Sequence, residues 1–405
     1  MNSEAPALST PLRQGHQDGP EFIDSLDLLR RRRTLKWQIG APDPDRICLG
    51  VAEMDVAVPR FLRTALTEAV GDGETGYGLC ARQEEACARY LQDEHGASIA
   101  GARCTTDVLT GLRTLMGLQL EPGSGVIVET PVYGDLLTVV REAGHVPVAV
   151  PLIRGTDGYR HDWAALTAAA EAGARAWILC QPHNPVGRAW TAEETARAVS
   201  LSAAHDLLVL ANEVHIPLGL SAVQPRSVFA DPRTHEVRAF GLTSASKAFN
   251  IAGLKSATVY ASQRTADALS LTPQSLLGRP GSLGAIATVA CYEQGLDWLR
   301  ALRRELAACA AVALDELGSL GLEVSAAPPE ATYLVWAEFP RPDQARAVAG
   351  ALEAAGVHTL PGAGFGGPSY EHCFRVNAAA HPVVLRHAFA RLRSALRTRG
   401  RSLTP

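Results

Sequence analysis

Two of the three lysines in this 405-residue chain, Lys247 and Lys255, stand eight positions apart in Thr243-Ser244-Ala245-Ser246-Lys247-Ala248-Phe249-Asn250-Ile251-Ala252-Gly253-Leu254-Lys255. Lysine and arginine together number 38, so 35 are arginine, and Lys36 is the only lysine elsewhere. Arginine holds an anion as well as lysine does, but its guanidinium stays protonated and cannot condense with an aldehyde. Lys247 is therefore the candidate for a Schiff base, with the hydroxyls of Ser244 and Ser246 and the cation of Lys255 suited to a phosphate.

The elements that must position these groups follow from hydrophobic patterning. Short apolar runs at Gly125-Val126-Ile127-Val128, Ala176-Trp177-Ile178-Leu179-Cys180 and Leu207-Leu208-Val209-Leu210-Ala211 alternate with helical stretches, one of them opening on the capping box Thr191-Ala192-Glu193-Glu194. Continuous apolar strands separated by helices predict an α/β fold: a large domain whose mostly parallel sheet is covered by helices on both faces. A helical segment over about 287–317 leads to a smaller α/β domain with strands near Thr332–Trp336 and Phe374–Asn377 and a closing helix near Val383–Arg397. The expected division is 1–60 for an N-terminal arm and part of the small domain, 61–285 for the large domain and 286–405 for the C-terminal small domain. The first twenty or so residues read as a loose arm. Arg30–Arg33 read as a solvated helix end.

A formal charge of −4 over this length gives no field that favours nucleic acid or an anionic membrane, and small-molecule chemistry is the expectation. The eight cysteines show no metal spacing and read as small core residues of a reducing compartment. No signal-peptide pattern and no apolar run of membrane-spanning length is evident, so the expected location is the cytoplasm.

Ligands of open α/β sheets bind beyond the carboxyl ends of strands. Thr110-Gly111-Leu112-Arg113, placed after a strand at 107–109, could offer helix N-terminal amides to a phosphate. Pro131-Val132-Tyr133, Gln181-Pro182-His183-Asn184 and Ala211-Asn212-Glu213-Val214-His215 end the next strands. With Thr75-Gly76-Tyr77-Gly78, Ala52-Glu53-Met54-Asp55 and Phe374-Arg375-Val376-Asn377, these motifs make the chain, over about residues 25–397, resemble fold-type I pyridoxal phosphate enzymes, the aspartate aminotransferase-like fold. Within them it is similar to the cystathionine β-lyase-like C-S lyases of the MalY/PatB type.

The resemblance implies pyridoxal 5'-phosphate as cofactor, with Lys247 as the lysine that carries it and Tyr133 stacked on its ring. It implies that Asn184 donates to the ring oxygen, that Gly111, Leu112, Ser244 and Lys255 receive the phosphate, and that His215 lies near ring or phosphate. Tyr77 matches a tyrosine that reaches the phosphate of a neighbouring subunit, implying a homodimer. Arg375 matches the clamp on the substrate α-carboxylate, and Glu53 lies in the segment lining the site. The implied reaction splits an S-substituted cysteine into thiol, pyruvate and ammonia.

Two positions depart from the family. Gly50 replaces a usual tryptophan and should open space near the substrate. Asn212 replaces the aspartate that keeps the pyridine nitrogen protonated, which weakens the electron sink and favours elimination over transamination. Relatives in actinomycete antibiotic pathways, lincosamide assembly among them, act on bulky S-conjugated cysteines, and some divert to decarboxylation with oxidative deamination. A class I/II aminotransferase and a fold-retaining regulatory protein are the other readings.

Overall fold

A computed structural model describes residues 19–401 except 40–42, 79, 157 and 221–223, the side chains of 399–401 also excepted. The expected N-terminal arm therefore lies, but for its last two residues, outside the described residues. The large domain is built on a seven-stranded sheet: β1 Gly101–Thr105, β2 Gly125–Thr130, β3 Val146–Pro151, β4 Ala174–Cys180, β5 Leu208–Asn212, β6 Ala239–Thr243 and β7 Ala257–Ala261. Its spatial order is β1-β7-β6-β5-β4-β2-β3, parallel throughout except that β7 runs antiparallel to both its neighbours.

The apolar strands sort their residues into two cores by the two-residue period of the pleat. On one face Ile127, Trp177, Leu179, Val209 and Ala211 pack together, and on the other Val126, Val128, Ala176, Ile178, Cys180, Leu208 and Leu210 do so. Helix α1, Val108–Gln119, closes the second face through Leu112, Leu115 and Met116. The capping box is present at Thr191, where the hydroxyl accepts from the Glu194 amide and the Glu194 carboxylate accepts from the Thr191 amide.

Two elements differ from the sequence reading. The strand expected at 107–109 is the start of α1: β1 ends at Thr105, and Asp107 caps the helix by accepting from the Thr110 amide at 2.8 Å. The segment near 287–317 is two helices, α2 Ser282–Gln294 and α3 Leu296–Gly318. Gly295 separates them, and a Cβ there would lie 2.5 Å from the Cys291 carbonyl oxygen and the Phe249 ring.

The smaller unit carries a three-stranded antiparallel sheet, β8 Leu334–Glu338, β9 Leu360–Pro361 and β10 Cys373–Asn377, with β10 in the centre. Helices α4 Pro342–Ala354 and α5 Pro382–Arg401 cover it through Val348, Leu352, Leu385 and Phe389. Its core takes in Leu29, Trp37, Ile47 and Leu49, and Ile47–Cys48 pair in parallel with Val357–His358.

The chain between 50 and 56 runs from this unit to the large one and is fixed at nearly every residue. Asn377 donates to the Val51 and Glu53 carbonyls, each at 2.6 Å, and Asn250 both accepts from and donates to the Met54 backbone at 2.8 Å. Arg32 donates to the Met54 and Val56 carbonyls, and Arg30 to the Arg46 carbonyl. The arginine run is thus only half solvated: Arg31 and Arg33 are exposed, while Arg30 and Arg32 act as staples.

Lys36 and Asp55, both fully buried, pair at 2.8 Å, and Trp37 donates its indole N–H to the other Asp55 oxygen at 2.7 Å. Removing one partner of such a pair leaves an uncompensated buried charge. Lys36→Met is expected to destabilise by about 3–5 kcal/mol, and Lys36→Met with Asp55→Asn, which keeps an acceptor for Trp37, is expected to recover most of that loss. Urea unfolding followed by tryptophan emission measures both, and equal loss in the two variants would show that the pair's charge balance is not what holds the segment.

Candidate active site

The carboxyl ends of β2, β4, β5 and β6, the start of α1 and the centre of the small sheet converge on a cavity of about 330 Å3. Lys247 lies on its wall. The antiparallel return from β6 to β7 puts Thr243 opposite Thr258, so the intervening loop presents Lys247 and Lys255 at the same end of the sheet. Lys255 adopts a left-handed conformation (φ 51°), which is uncommon for a residue with a Cβ and is found preferentially at functional sites.

The Lys247 amine donates to the Ala52 carbonyl at 3.3 Å. Burial, with the nearby positive charge of Arg375, lowers its pKa from the ordinary lysine range to about 8, against an opposing contribution from Glu53. Arg375 rises from the centre of the small sheet and is itself buried. It donates to Asn184 Oδ1 at 3.1 Å and to the Gly50 carbonyl at 2.9 Å, while its Nε has no partner among the described residues. Burial lowers even this guanidinium to about 10. A buried cation that meets only neutral acceptors is a ready receptor for a carboxylate.

Tyr133 lines the cavity, its amide donating to the Asn184 carbonyl and its hydroxyl to Asp135. Burial, then the Asp135 carboxylate, push its pKa up. Asn184 turns its carbonyl to Arg375, which leaves its NH2 group as a donor.

Asn212 ends β5 on the same face as Leu208 and Leu210, and its Oδ1 accepts weakly from the Val214 amide at 3.4 Å, leaving the NH2 group without a partner among the described residues. Glu213, one residue on, points into the opposite core, where Tyr260, Ser227 and the Val228 amide hold it. No carboxylate therefore stands where Asn212 stands. His215 also faces the cavity, and burial followed by the charges of Lys247 and Arg375 lowers its pKa to about 3, so it is a neutral imidazole.

The end of the cavity at which the resemblance puts the phosphate differs from the sequence reading. Gly111 and Leu112 do not reach the cavity: the Gly111 amide bonds to the Asp107 carbonyl, its α-carbon lies against Leu242 and Val259, and Leu112 is in the core. Because the helix begins three residues earlier than expected, the open first-turn amides are those of Val108 and Leu109, which line the cavity. Ser244 lines it too, but its hydroxyl donates to the Ser256 carbonyl at 2.6 Å and accepts from the Ser246 amide, whereas the Ser246 hydroxyl has no bond among the described residues. Sequence reasoning missed Val108 and Leu109, and the Asp107–Thr110 cap signal would have placed them.

Gly50 does not open the cavity. A Cβ there would meet Thr359 and Leu360 at 3.3–3.4 Å, so the space is closed by the small sheet, and Gly50 serves through its carbonyl on Arg375. Glu53 is half-buried beside Lys247, and Tyr77 is almost wholly exposed, away from this cavity. Elsewhere the described residues bring the Cys80 and Cys104 thiols and the Glu84 carboxylate within 4.8 Å of one another, a grouping that the cysteine spacing did not show.

The donor set fits pyridoxal phosphate: a buried amine of lowered pKa, an aromatic ring, an amide beneath β5, and first-turn amides with Lys255 at one end. Residues 44–392 match the model of the aminotransferase class I and II family, and the chain belongs to that family. A putative cystathionine beta-lyase of Mycobacterium tuberculosis is 35% identical over 77% of this chain and 78% of its own length. The cystathionine beta-lyase PatB of Bacillus subtilis is 28% identical over 87% and 93%. The crystal structure of a putative PLP-dependent beta-cystathionase from Corynebacterium diphtheriae superposes with a TM-score of 0.85 at 27% identity, covering 94% of this chain and 99% of that one. This protein is accordingly a fold-type I, pyridoxal phosphate-dependent enzyme.

Only the neutral form of an amine such as that of Lys247 condenses with an aldehyde. In the cofactor-free protein its reaction with added pyridoxal phosphate is expected to speed up about tenfold per pH unit below about 8 and to level off above it. Stopped-flow absorbance records the rate, and a rise that continued to about pH 10, the range of a free lysine, would show that the cavity does not lower this pKa.

Proposed function

We propose that the protein cleaves the Cβ–S bond of an S-substituted cysteine, taking up one water and releasing a thiol, pyruvate and ammonia. The observation that carries this reading is the meeting, in one buried cavity, of a carboxylate receptor without a counter-ion, Arg375, and an amine titrating near neutrality, Lys247. Relatives named as cystathionine β-lyases support it.

Bound pyridoxal phosphate supplies the electron sink that makes the substrate Cα–H acidic. Arg375 binds the α-carboxylate and so fixes the rotation of Cα, and Asn184 is held by the same guanidinium. Lys247 would hold the cofactor through its amine and, as a neutral base, would take the Cα proton of the bound substrate. Its contact with the Ala52 carbonyl places it on the segment fixed by Asn377 and Asn250. The electron pair left on Cα forms the Cα–Cβ double bond as sulfur departs with the Cβ–S pair, and the released aminoacrylate hydrolyses to pyruvate and ammonia.

Asn212 favours this outcome over transamination. Its NH2 group is a donor, matched to an unprotonated ring nitrogen, and a less electron-poor ring suits expulsion of a good leaving group better than reprotonation at the cofactor. The reading includes a homodimer: Tyr77 is 99% exposed beside a surface cavity of about 650 Å3 lined by Ile286, Val289 and Ala290, a face a second copy would cover. It also includes a cytoplasmic location. Among the described residues no helix is long and apolar enough to cross a membrane.

The test is product analysis on a panel of cysteine conjugates. Thiol and pyruvate in equal amounts are expected, and Lys247→Ala should lower turnover by several kcal/mol, about a thousandfold. Carbon dioxide with an aldehyde would replace this reading by decarboxylation with oxidative deamination, an amino-acceptor requirement by transamination, and no turnover by a regulatory role.

Asn212→Asp keeps the acceptor for the Val214 amide and adds a charge beside the ring. The variant is expected to change the absorbance spectrum of the bound cofactor and to gain transamination as a side reaction. Identical spectra and product ratios in the two proteins would show that residue 212 does not govern the electron sink.

A further inference from the structure

Among the residues lining the cavity Asp107 is the only acid, and it stands at the end that is built to hold an anion. Its Oδ1 accepts from the Thr110 amide at 2.8 Å, and its Oδ2 lies 3.2 Å from Lys255 Nζ. The Val108 and Leu109 amides of the same helix turn have no partner among the described residues and point the positive end of α1 toward the same place. Burial works to raise the Asp107 pKa, but the Thr110 amide and Lys255 outweigh it and hold the carboxyl below the usual carboxylate range. The group is an anion at neutral pH.

The cofactor brings a phosphate of nearly two negative charges into this space. Lys255 is a cation beside the helix start, and the protein's own carboxylate already engages it. Like charges a few ångströms apart disfavour each other, the more so inside a protein than in water.

We propose that Asp107 acts as an internal competitor of the cofactor phosphate for Lys255 and the first turn of α1, so that the protein holds pyridoxal phosphate loosely and exchanges it with the free pool. Occupancy of the site then follows the supply of free cofactor. The inference rests on the cofactor assignment and not on the reaction proposed above.

The discriminating variant is Asp107→Asn. Asparagine caps a helix as well as aspartate does, so the fold and the first turn are kept while the charge is removed. Holoenzyme is equilibrated by dialysis against graded pyridoxal phosphate, and the dissociation constant and release rate are read from bound cofactor absorbance, with no turnover involved. Asp107→Asn is expected to tighten pyridoxal phosphate about tenfold or more, as loss of a repulsive charge at close range predicts. Pyridoxal, which lacks the phosphate, is expected to bind wild type and variant equally.

Lys255→Gln supplies the second arm. If Asp107 and the phosphate compete for Lys255, removing the lysine costs more cofactor affinity in the Asp107→Asn background than in the wild type. Unchanged or weaker pyridoxal phosphate binding by Asp107→Asn would overturn the proposal and make Asp107 a support that orients Lys255. Equal tightening of pyridoxal would overturn it as well, since the effect would then not pass through the phosphate.

Discussion

A buried guanidinium without a counter-ion sets the terms for this site. Arg375 is enclosed among the small sheet, the Asn184 loop and the Gly50 carbonyl, and the acceptors it meets among the described residues are neutral. Its charge is felt across the cavity: it adds to the burial that lowers Lys247 to about 8, and to the burial and the Lys247 charge that keep His215 uncharged. Such an arrangement is costly until an anion arrives. A substrate carboxylate would meet that need, and its binding would also relieve the electrostatic pressure on Lys247, so recognition and the state of the base are joined through one residue.

The cost is borne by scaffolding that does not itself do chemistry. The segment 50–56 is fastened by Asn377 from the small sheet, Asn250 from the lysine loop and the Lys36–Asp55 pair. Through it the Gly50 carbonyl reaches Arg375 and the Ala52 carbonyl reaches Lys247. The two structural units thus meet at a short stretch of backbone whose carbonyls are the ligands of the two cations. A shift of that stretch would move both together.

The alternation of the strands has a chemical consequence at β5. Asn212 and Glu213 are neighbours, yet the pleat sends them to opposite faces, one to the cavity and the other into the core with Tyr260 and Ser227. The carboxyl of this part of the chain is therefore turned into the core, and the residue that the end of β5 presents to the cavity is a neutral amide. At the other end of the cavity the reverse holds, with a carboxylate, Asp107, beside the first-turn amides of α1 and Lys255.

What the sequence determined by itself was chemical identity. In a chain with three lysines Lys247 stood out as the candidate because condensation needs an amine, whereas Arg375 and Asn212 were singled out by the resemblance to a family, and all three line one cavity. The sheet was legible in its apolar runs, since a strand buried on both faces has no polar residues to hide. Register and direction were decided only by the tertiary structure. The first-turn amides that face the cavity are those of Val108 and Leu109 and not those of Gly111 and Leu112, because a cap three residues earlier started the helix. Gly50 offered no space because its missing side chain would point at Thr359 and Leu360, residues three hundred positions away. Helix starts hang on single hydrogen bonds and the use of empty volume depends on whatever packs against it, and neither is written in the local pattern of residues.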